Sequence, residues 1–367
     1  MKKILVDCHK FDEDYQGITT YIEGLYKELI THKEIDFYFA AKNIILLKEV
    51  FGDATNIHYK RLYFSNKWFR LLLDFPRIII KNKIDYAHFQ YVVPPIKLCK
   101  YITTIHDVLF LDYPQFFNQK YIIKNRFLFN LSSKLSDVIL TVSNYSKDRL
   151  IAKLNVKKPI YITPNAVNAV YFQKYNKEEI KSLINQKYSL SRPYFILVSR
   201  IEPRKNHLLL LKTFIDYEYY KKYDLVFVGK KDLKYSELDS YFNQFESNIK
   251  NRIHFLENVN NSDLLNLIQG ATLSVYPSLA EGFGIPPLET LAANIPTVCS
   301  NTTAMKDFHF LKEYQFCPTS CLSLKEKIDL ALEKNGMDDC IEQMKFTYNW
   351  KISAKNYLEA IQFKNSN

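Results

Sequence analysis

The sequence predicts an α/β protein of two doubly wound, Rossmann-like domains, each built on a parallel sheet, and three observations carry that expectation. The chain has 367 residues, enough for two domains at roughly 150 residues apiece. Short, wholly apolar runs alternate with longer stretches of helical period, the pattern of strands covered by helices on both faces. The alternation stops in a polar stretch and then begins again.

The first series has strands at 4–6, 36–41, 84–89, 101–106, 138–142 and 159–162, separated by helical patterns at 18–30, 67–81, 119–135 and 146–154. It pauses after Thr163-Pro164-Asn165, and a polar segment then runs to Arg192-Pro193. The second series has strands at 194–199, 224–229, 252–256, 272–276 and 296–299, with helices at 207–219, 233–249, 262–269 and 287–293. A last helical stretch at 350–363 has no strand left to pair with and is expected to pack back on the first domain. The expected organisation is a first domain at 1–166, a linker at 167–192, a second domain at 193–346 and a returning helix at 347–367.

Composition narrows the class. Apolar residues make up 47% and charged residues 24%, which excludes a disordered chain, a collagen-like repeat and a membrane bundle. The net charge of +11 is uneven: residues 1–170 carry 25 basic and 16 acidic side chains, the remainder 25 and 23. A basic first half calls for an anionic partner. The six cysteines form no C-x-x-C pair and read as reduced thiols. Met-Lys-Lys-Ile-Leu-Val-Asp reaches an aspartate after three apolar residues and is not expected to act as a signal peptide. No apolar run approaches the ~18 residues that span a bilayer, so a cytoplasmic protein is expected.

In open α/β sheets, ligands sit beyond the carboxyl ends of strands. Three such ends in the second half carry unusual residues. The first leads into Arg200-Ile-Glu-Pro-Arg-Lys205-Asn206-His207, where two cations lie near a strand tip and Asn206 is expected to cap a helix; such a place suits phosphate. The second ends at Gly229, which would admit a ligand close to the backbone. The third is Glu281-Gly-Phe-Gly284-Ile-Pro-Pro-Leu-Glu289, with two of only eight glycines between its acids. The glycines free backbone amides, Pro286 and Pro287 suit a helix start, and Glu289 falls where the dipole favours an acid. Carboxylates beside such a backbone accept hydrogen bonds from vicinal hydroxyls of a sugar or ribose. Asp12-Glu-Asp14, the only Asp-x-Asp pattern, sits in an early polar loop and reads as solvated.

Glu281–Glu289 resembles the E-x7-E signature of retaining glycosyltransferases of the GT-B fold, in glycosyltransferase family 4. Ser-Arg200-Ile-Glu-Pro-Arg-Lys205-Asn resembles that family's paired Arg/Lys in the version common among bacterial polysaccharide mannosyltransferases. Gly17-Ile with Tyr21, Thr104-Ile-His106-Asp107, Val142–Lys147, Thr163-Pro164-Asn165 and Asn349-Trp350-Lys351 extend the resemblance over nearly the whole chain.

The resemblance implies a GT-B fold, two such domains facing a cleft, and a set of roles. Arg200 and Lys205 would neutralise the diphosphate of a nucleotide-sugar donor. Glu289 would hold the ribose hydroxyls, and Glu281 with the amides of Gly282, Phe283, Gly284 and Ile285 the donor hexose. Gly17 would let the first domain close on the phosphates, and His106 would sit at the reacting sugar. The expected reaction moves a hexose, best matched by mannose from GDP-mannose, onto a cell-surface glycan with retention and without metal or other cofactor. Ala166 in place of Gly, Glu257-Asn258 in place of Gly-aromatic and Lys306-Asp307 in place of Pro-Glu depart from the family pattern; the first two bear on base selection.

Residues 59–83 hold seven Lys or Arg and one acid, Asp74, interleaved with aromatic and aliphatic residues. Lys67, Trp68, Arg70 and Arg77 are expected to form a surface for an anionic membrane and a glycan or polyprenyl-diphosphate-linked acceptor, with a buried helix bearing a solvated basic face as the alternative. The protein would then be peripheral on the inner face of the cytoplasmic membrane. Two other classes compete. One is a GT-B enzyme of another chemistry, such as a sugar-nucleotide epimerase, another sugar-nucleotide enzyme or a phosphorylase, the last of which would want a pyridoxal lysine that no motif suggests. A nucleic-acid binder is motivated only by charge and lacks any helix-turn-helix, zinc or RNP pattern, so no nucleic-acid partner is expected.

Overall fold

The computed structural model describes residues 1–13, 17–231, 235–334 and 336–362. Its contacts divide the chain into two units, one of residues 1–166 with 348–362 and one of 167–347.

The first unit is built on seven strands, β1 (Lys2–Asp7), β2 (Ile35–Ala41), β3 (Ile57–Arg61), β4 (Tyr86–Gln90), β5 (Lys100–Thr104), β6 (Val138–Thr141) and β7 (Ile160–Ile162), all parallel, in the order β3-β2-β1-β4-β5-β6-β7. Ile4, Leu5 and Val6 of the central β1 are wholly buried, as a strand covered on both faces requires. The order reverses between β1 and β4, which makes their carboxyl ends the switch point of this sheet. β3 was not expected. It is an edge strand with one well-buried residue, Ile57, so its apolar signal is weak.

The basic stretch expected as one helix at 67–81 is helical at Lys67–Phe69, widens into a π turn over Arg70–Asp74 and resumes as Phe75–Asn82. Pro76 is the cause: it offers no N–H to the Leu72 carbonyl and its ring presses on that group. The helix Trp350–Ala360 lies in this unit against the helix Gly17–Leu29. A Cβ on Gly24 would stand 2.0 Å from the Trp350 indole. Tyr26 and Tyr357 share a hydroxyl hydrogen bond of 3.0 Å, and Ser353 and Asn356 donate to the carbonyls of Pro164 and Ile162 at 2.5 and 2.8 Å. Residue 363, the expected end of that helix, lies outside the described residues.

The second unit holds β8 (Tyr194–Val198), β9 (Asp224–Val228), β10 (Ile253–Leu256), β11 (Leu273–Tyr276), β12 (Thr297–Ser300) and β13 (Gln315–Phe316), parallel in the order β10-β9-β8-β11-β12-β13. Here the order reverses between β8 and β11. β13 is two residues long, below what periodicity can reveal. Residues 167–192 are more than a linker: they include the helix Lys177–Tyr188, capped by Asn176 and burying Ile184 among Leu267 and Ile268. The helix expected at 233–249 is two pieces, Ser236–Asn243 and Ser247–Lys250, and residue 233 lies outside the described residues. Among the described residues no helix is long and apolar enough to cross a membrane.

Candidate functional site

Both loops singled out in the second half leave the switch-point strands. β8 runs through Arg200 into a tight turn, Pro203–Lys205, and β11 runs through Pro277 and Glu281 into the helix Ile285–Ala292. The loops are stitched together. The Leu279 amide donates to the Arg204 carbonyl at 2.9 Å. Asn206 does not cap the following helix as expected. It takes a left-handed conformation (φ 59°), and its side-chain amide donates to the carbonyls of Pro277 and Pro318 at 3.1 and 2.8 Å.

Glu281 is the centre of this stitching. Its carboxylate accepts from Lys205 Nζ at 2.5 Å and from Arg204 Nη1 at 3.2 Å, and its amide donates to Thr303 Oγ1 at 2.8 Å. Burial alone would raise its pKa, but the charges of Lys205 and Arg204 win and hold it at about 2. Arg204, not singled out from the sequence, also donates to the Ala280 carbonyl and pairs with Glu202. Its planar fork braces three acceptors, and the only sequence signal was its place beside Lys205. Arg200 is exposed at the β8 tip.

Glu289 is the opposite case. Burial pushes it up to about 7, partly offset by a hydrogen bond from the Tyr171 hydroxyl. One loop–helix unit thus presents a carboxylate that stays charged and another poised near neutrality, an arrangement that separates their roles. Between them, Gly284 sits at φ 99°, where a Cβ would also press on Met305 at 3.0 Å. Phe283 is buried against Phe308, ring centroids 5.8 Å apart, so any contact it makes with a ligand is through its backbone. Pro286 and Pro287 carry no N–H, leaving amide donors at this helix start to Gly282–Ile285.

Gly229 corrects an expectation. At φ 148° its Cβ would stand 2.0 Å from the Ser199 carbonyl oxygen. The close approach it permits is by the β8 exit, held by Ser199 and Ile201 amides donating to the Val228 and Lys230 carbonyls at 3.0 Å each. Gly229 shapes the tip that carries Arg200.

In the first unit His106 lies just past β5, 8% exposed, with Nε2 2.8 Å from Gln90 Oε1 and its ring 5.0 Å from that of Tyr21. Burial drives it to about 3, so the imidazole is neutral. Tyr21 hydrogen-bonds Thr104 and Thr163 at 3.1 and 2.7 Å, and His88 bridges Tyr26 and Thr104 at 2.7 and 2.8 Å. Gly17 opens the helix Gly17–Leu29; the residues before it, 14–16, lie outside the described residues.

The β1 tip carries a pair that sequence reasoning missed. Asp7, buried, accepts from His9 Nδ1 at 2.8 Å; burial would raise it, but His9, with help from Arg70, keeps it below the usual carboxylate range. The signal was available as Asp-Cys-His directly after a strand. Arg70 and Lys67 are thereby located near the carboxyl edge of the sheet. Burial, reinforced by the neighbouring charges of Lys124 and Arg70, brings Lys67 down to about 8. Trp68, Phe69, Leu72 and Leu73 are exposed, while Leu71, Phe75 and Ile78 face the core, so the outer face is apolar as well as basic. Arg77 is engaged with its own unit, 4.4 Å over the Tyr63 ring and 3.7 Å from Asp74. Asp12 accepts from the amides of Lys42 and Asn43 at 2.9 and 2.8 Å, and Asp14 lies outside the described residues. Among the described residues no group of three His, Cys, Asp or Glu is arranged to hold a metal.

Comparison with known proteins bears on the family and the fold. A family model described as Glycosyltransferase Family 4 matches residues 15–170, and one described as Glycosyl transferases group 1 matches 164–350. The chain is 27% identical over 324 residues to O-antigen chain mannosyltransferase B of Escherichia coli, covering 83% of this chain and 84% of that one. It is 32% identical over 232 residues to O-antigen chain mannosyltransferase RfbU of Salmonella typhimurium, 61% of this chain and 59% of that one. The sucrose-phosphate synthase of Thermosynechococcus elongatus has the same fold, with a TM-score of 0.75 over 99% of this chain and 98% of that one at 15% identity. With two parallel sheets of the GT-B type and family models meeting near residue 166, the chain belongs to the group 1 glycosyl transferases.

Proposed function

We propose that this glycosyltransferase is a retaining mannosyltransferase that uses GDP-mannose to extend a cell-surface glycan of the O-antigen kind. The observation that carries the reading is the Lys205–Glu281 contact at the switch point of the second sheet, beside the glycine-lined start of the helix Ile285–Ala292. The mannosyltransferases to which the chain is similar support the choice of sugar.

In this reading Arg200 and Lys205 receive the diphosphate, Glu281 and the amides of Gly282–Ile285 the hexose, and Glu289 the ribose hydroxyls. Transfer breaks the bond between the anomeric carbon and the diphosphate oxygen, and GDP leaves with the electron pair. The acceptor hydroxyl forms the new bond on the same face and its proton passes to the departing diphosphate. The accumulating phosphate charge is met by side-chain cations in a partly dry site, where each fixed charge is worth several kcal/mol, so no metal is assigned. Neutral His106 is assigned to hydrogen-bond O6 of the transferred sugar or the acceptor.

The acceptor is assigned to the first unit. The exposed Trp68, Phe69, Leu72 and Leu73 beside Lys67 and Arg70 support an anionic membrane surface bearing a polyprenyl-diphosphate-linked glycan, with the enzyme peripheral on the inner face of the cytoplasmic membrane.

A thermal-shift panel of GDP, UDP, dTDP and ADP tests the donor. GDP at 100 times its dissociation constant stabilises by about 2.7 kcal/mol; a response to UDP or ADP in its place overturns the GDP-mannose assignment. Lys205→Ala is expected to cut transfer at least about 100-fold. Formation of an epimerised sugar nucleotide without released nucleoside diphosphate would favour the epimerase chemistry.

A further inference from the structure

The loop that follows β12 is tied to the Glu281 loop by hydroxyls. Ser300 Oγ donates to the Ser278 carbonyl at 2.6 Å, and Thr302 Oγ1 donates to the Leu279 carbonyl at 3.2 Å. Thr303 reaches the acid itself. Its Oγ1 accepts from the Glu281 amide at 2.8 Å, and the Ala304 amide donates to the Glu281 carbonyl at 3.3 Å. Both backbone groups of Glu281 are thus held by adjacent residues of one turn, while Lys205 and Arg204 hold its carboxylate. Met305, in the turn that begins at Thr303, lies against Gly284, and Phe308 at its end lies against Phe283.

The backbone of Thr303 gives the contact its meaning. Its φ is 49°, in the left-handed region. Among the described residues ten other than glycine adopt a positive φ, and Thr303 alone of these is branched at Cβ, the class for which that region is a genuine outlier. Glycine would take the conformation without strain, but it has no oxygen to offer the Glu281 amide. Strained residues persist where the surrounding structure over-determines them, and they gather at functional sites. What threonine adds here over glycine is a hydroxyl, and that hydroxyl goes to Glu281. Resting on the reading that Glu281 and the Gly282–Ile285 amides take the donor hexose, we infer that Thr303 is a positioning residue for the sugar end of the donor. By fixing the Glu281 backbone it sets where the carboxylate and the amides after it meet the hexose, and it leaves binding of the nucleotide end alone.

The test compares GDP and GDP-mannose, with UDP and UDP-glucose alongside, on wild type, Thr303→Val, Thr303→Gly, Thr303→Ser and Glu281→Gln. Valine keeps the shape and removes the hydroxyl, glycine removes both the hydroxyl and the strain, and serine keeps the hydroxyl. Thr303→Val and Thr303→Gly should each lower kcat about tenfold, the scale of a misdirected reacting group. Both should lower the affinity for the nucleotide sugar about fivefold relative to that for its nucleoside diphosphate, with the diphosphate itself held within about twofold of wild type. Thr303→Gly should melt no lower than Thr303→Val although the two lose activity alike, and Thr303→Ser should keep transfer within about threefold of wild type. Valine and glycine variants that keep the wild-type kcat and affinity ratio, or that weaken diphosphate and nucleotide sugar equally, overturn the inference, as does a serine variant as impaired as the valine one. Loss of the ratio in Glu281→Gln beside any of these leaves the hexose reading standing. A Glu281→Gln protein that keeps the wild-type ratio and turnover overturns that reading and this inference with it.

Discussion

Replacing Glu281 by Gln keeps the side chain's shape and removes its charge from between Lys205 and Arg204. The carboxyl group lies at about 2, against an ordinary 4.5, a gap worth about 3 kcal/mol of native stability at neutral pH. Gln retains an acceptor, so about 2 kcal/mol is expected to appear as lost stability, a fall of roughly 4–8 °C for a unit of this size. The sign follows from the depressed pKa: the contribution is full above pH 4.5 and disappears as pH falls through about 2. The wild-type advantage should therefore be complete at pH 7, less than half at pH 3 and gone near pH 2. Urea unfolding read by far-UV circular dichroism and by indole fluorescence measures it. Trp68 and Trp350 both belong to the first unit, so the substitution should shift the dichroism transition and leave the indole transition in place. Transfer should fall at least about 100-fold in the same protein. A variant as stable as wild type at pH 7, or a stability gap unchanged at pH 3, refutes the charge-clamp account of Glu281.

Other expectations follow from the same geometry. Glu289 lies at about 7, and only its charged form accepts from two hydroxyls; GDP-mannose, whose diphosphate does not titrate near neutrality, should bind about tenfold tighter at pH 8 than at pH 6, and calorimetry on Glu289→Gln should find that dependence gone. Gly229→Ala places a methyl against the Ser199 carbonyl at a φ of 148° and should destabilise the second unit by about 3 kcal/mol; a urea midpoint equal to wild type would contradict the packing described. Changing Lys67, Arg70 and Arg77 together to Gln should lower binding to anionic vesicles about 100-fold, with added salt imitating the substitution on wild type; sedimentation insensitive to both would leave the stretch without a membrane role.

Much of the architecture was legible because buried parallel strands write apolar runs, and all eleven expected strands (4–6, 36–41, 84–89, 101–106, 138–142, 159–162, 194–199, 224–229, 252–256, 272–276 and 296–299) overlap strands of the two sheets. What escaped was edge or short structure: β3, with its Ile-His-Tyr-Lys-Arg sequence, and β13 have too little buried surface to write a period. The helix Lys177–Tyr188 carried its signs, an Asn cap and acids in the first turn, but so few apolar residues that it read as linker. The Glu281–Glu289 segment stood out because glycines are scarce here. What its residues do to one another did not. Whether Gly229 faces a ligand or Ser199, whether Asn206 caps or staples, and whether Tyr171 or a cation meets Glu289 depend on contacts between segments up to 118 residues apart, which local spacing does not encode.

The central claim is most directly tested by incubating the protein with GDP-mannose and a polyprenyl-diphosphate-linked glycan in excess EDTA, then following released GDP and the anomeric signal of the product. The account predicts stoichiometric GDP and an α-linked mannose, at a rate indifferent to chelator. A β-linked product, an absolute requirement for added Mn²⁺ or Mg²⁺, or sugar transfer only from a UDP or ADP donor would contradict it.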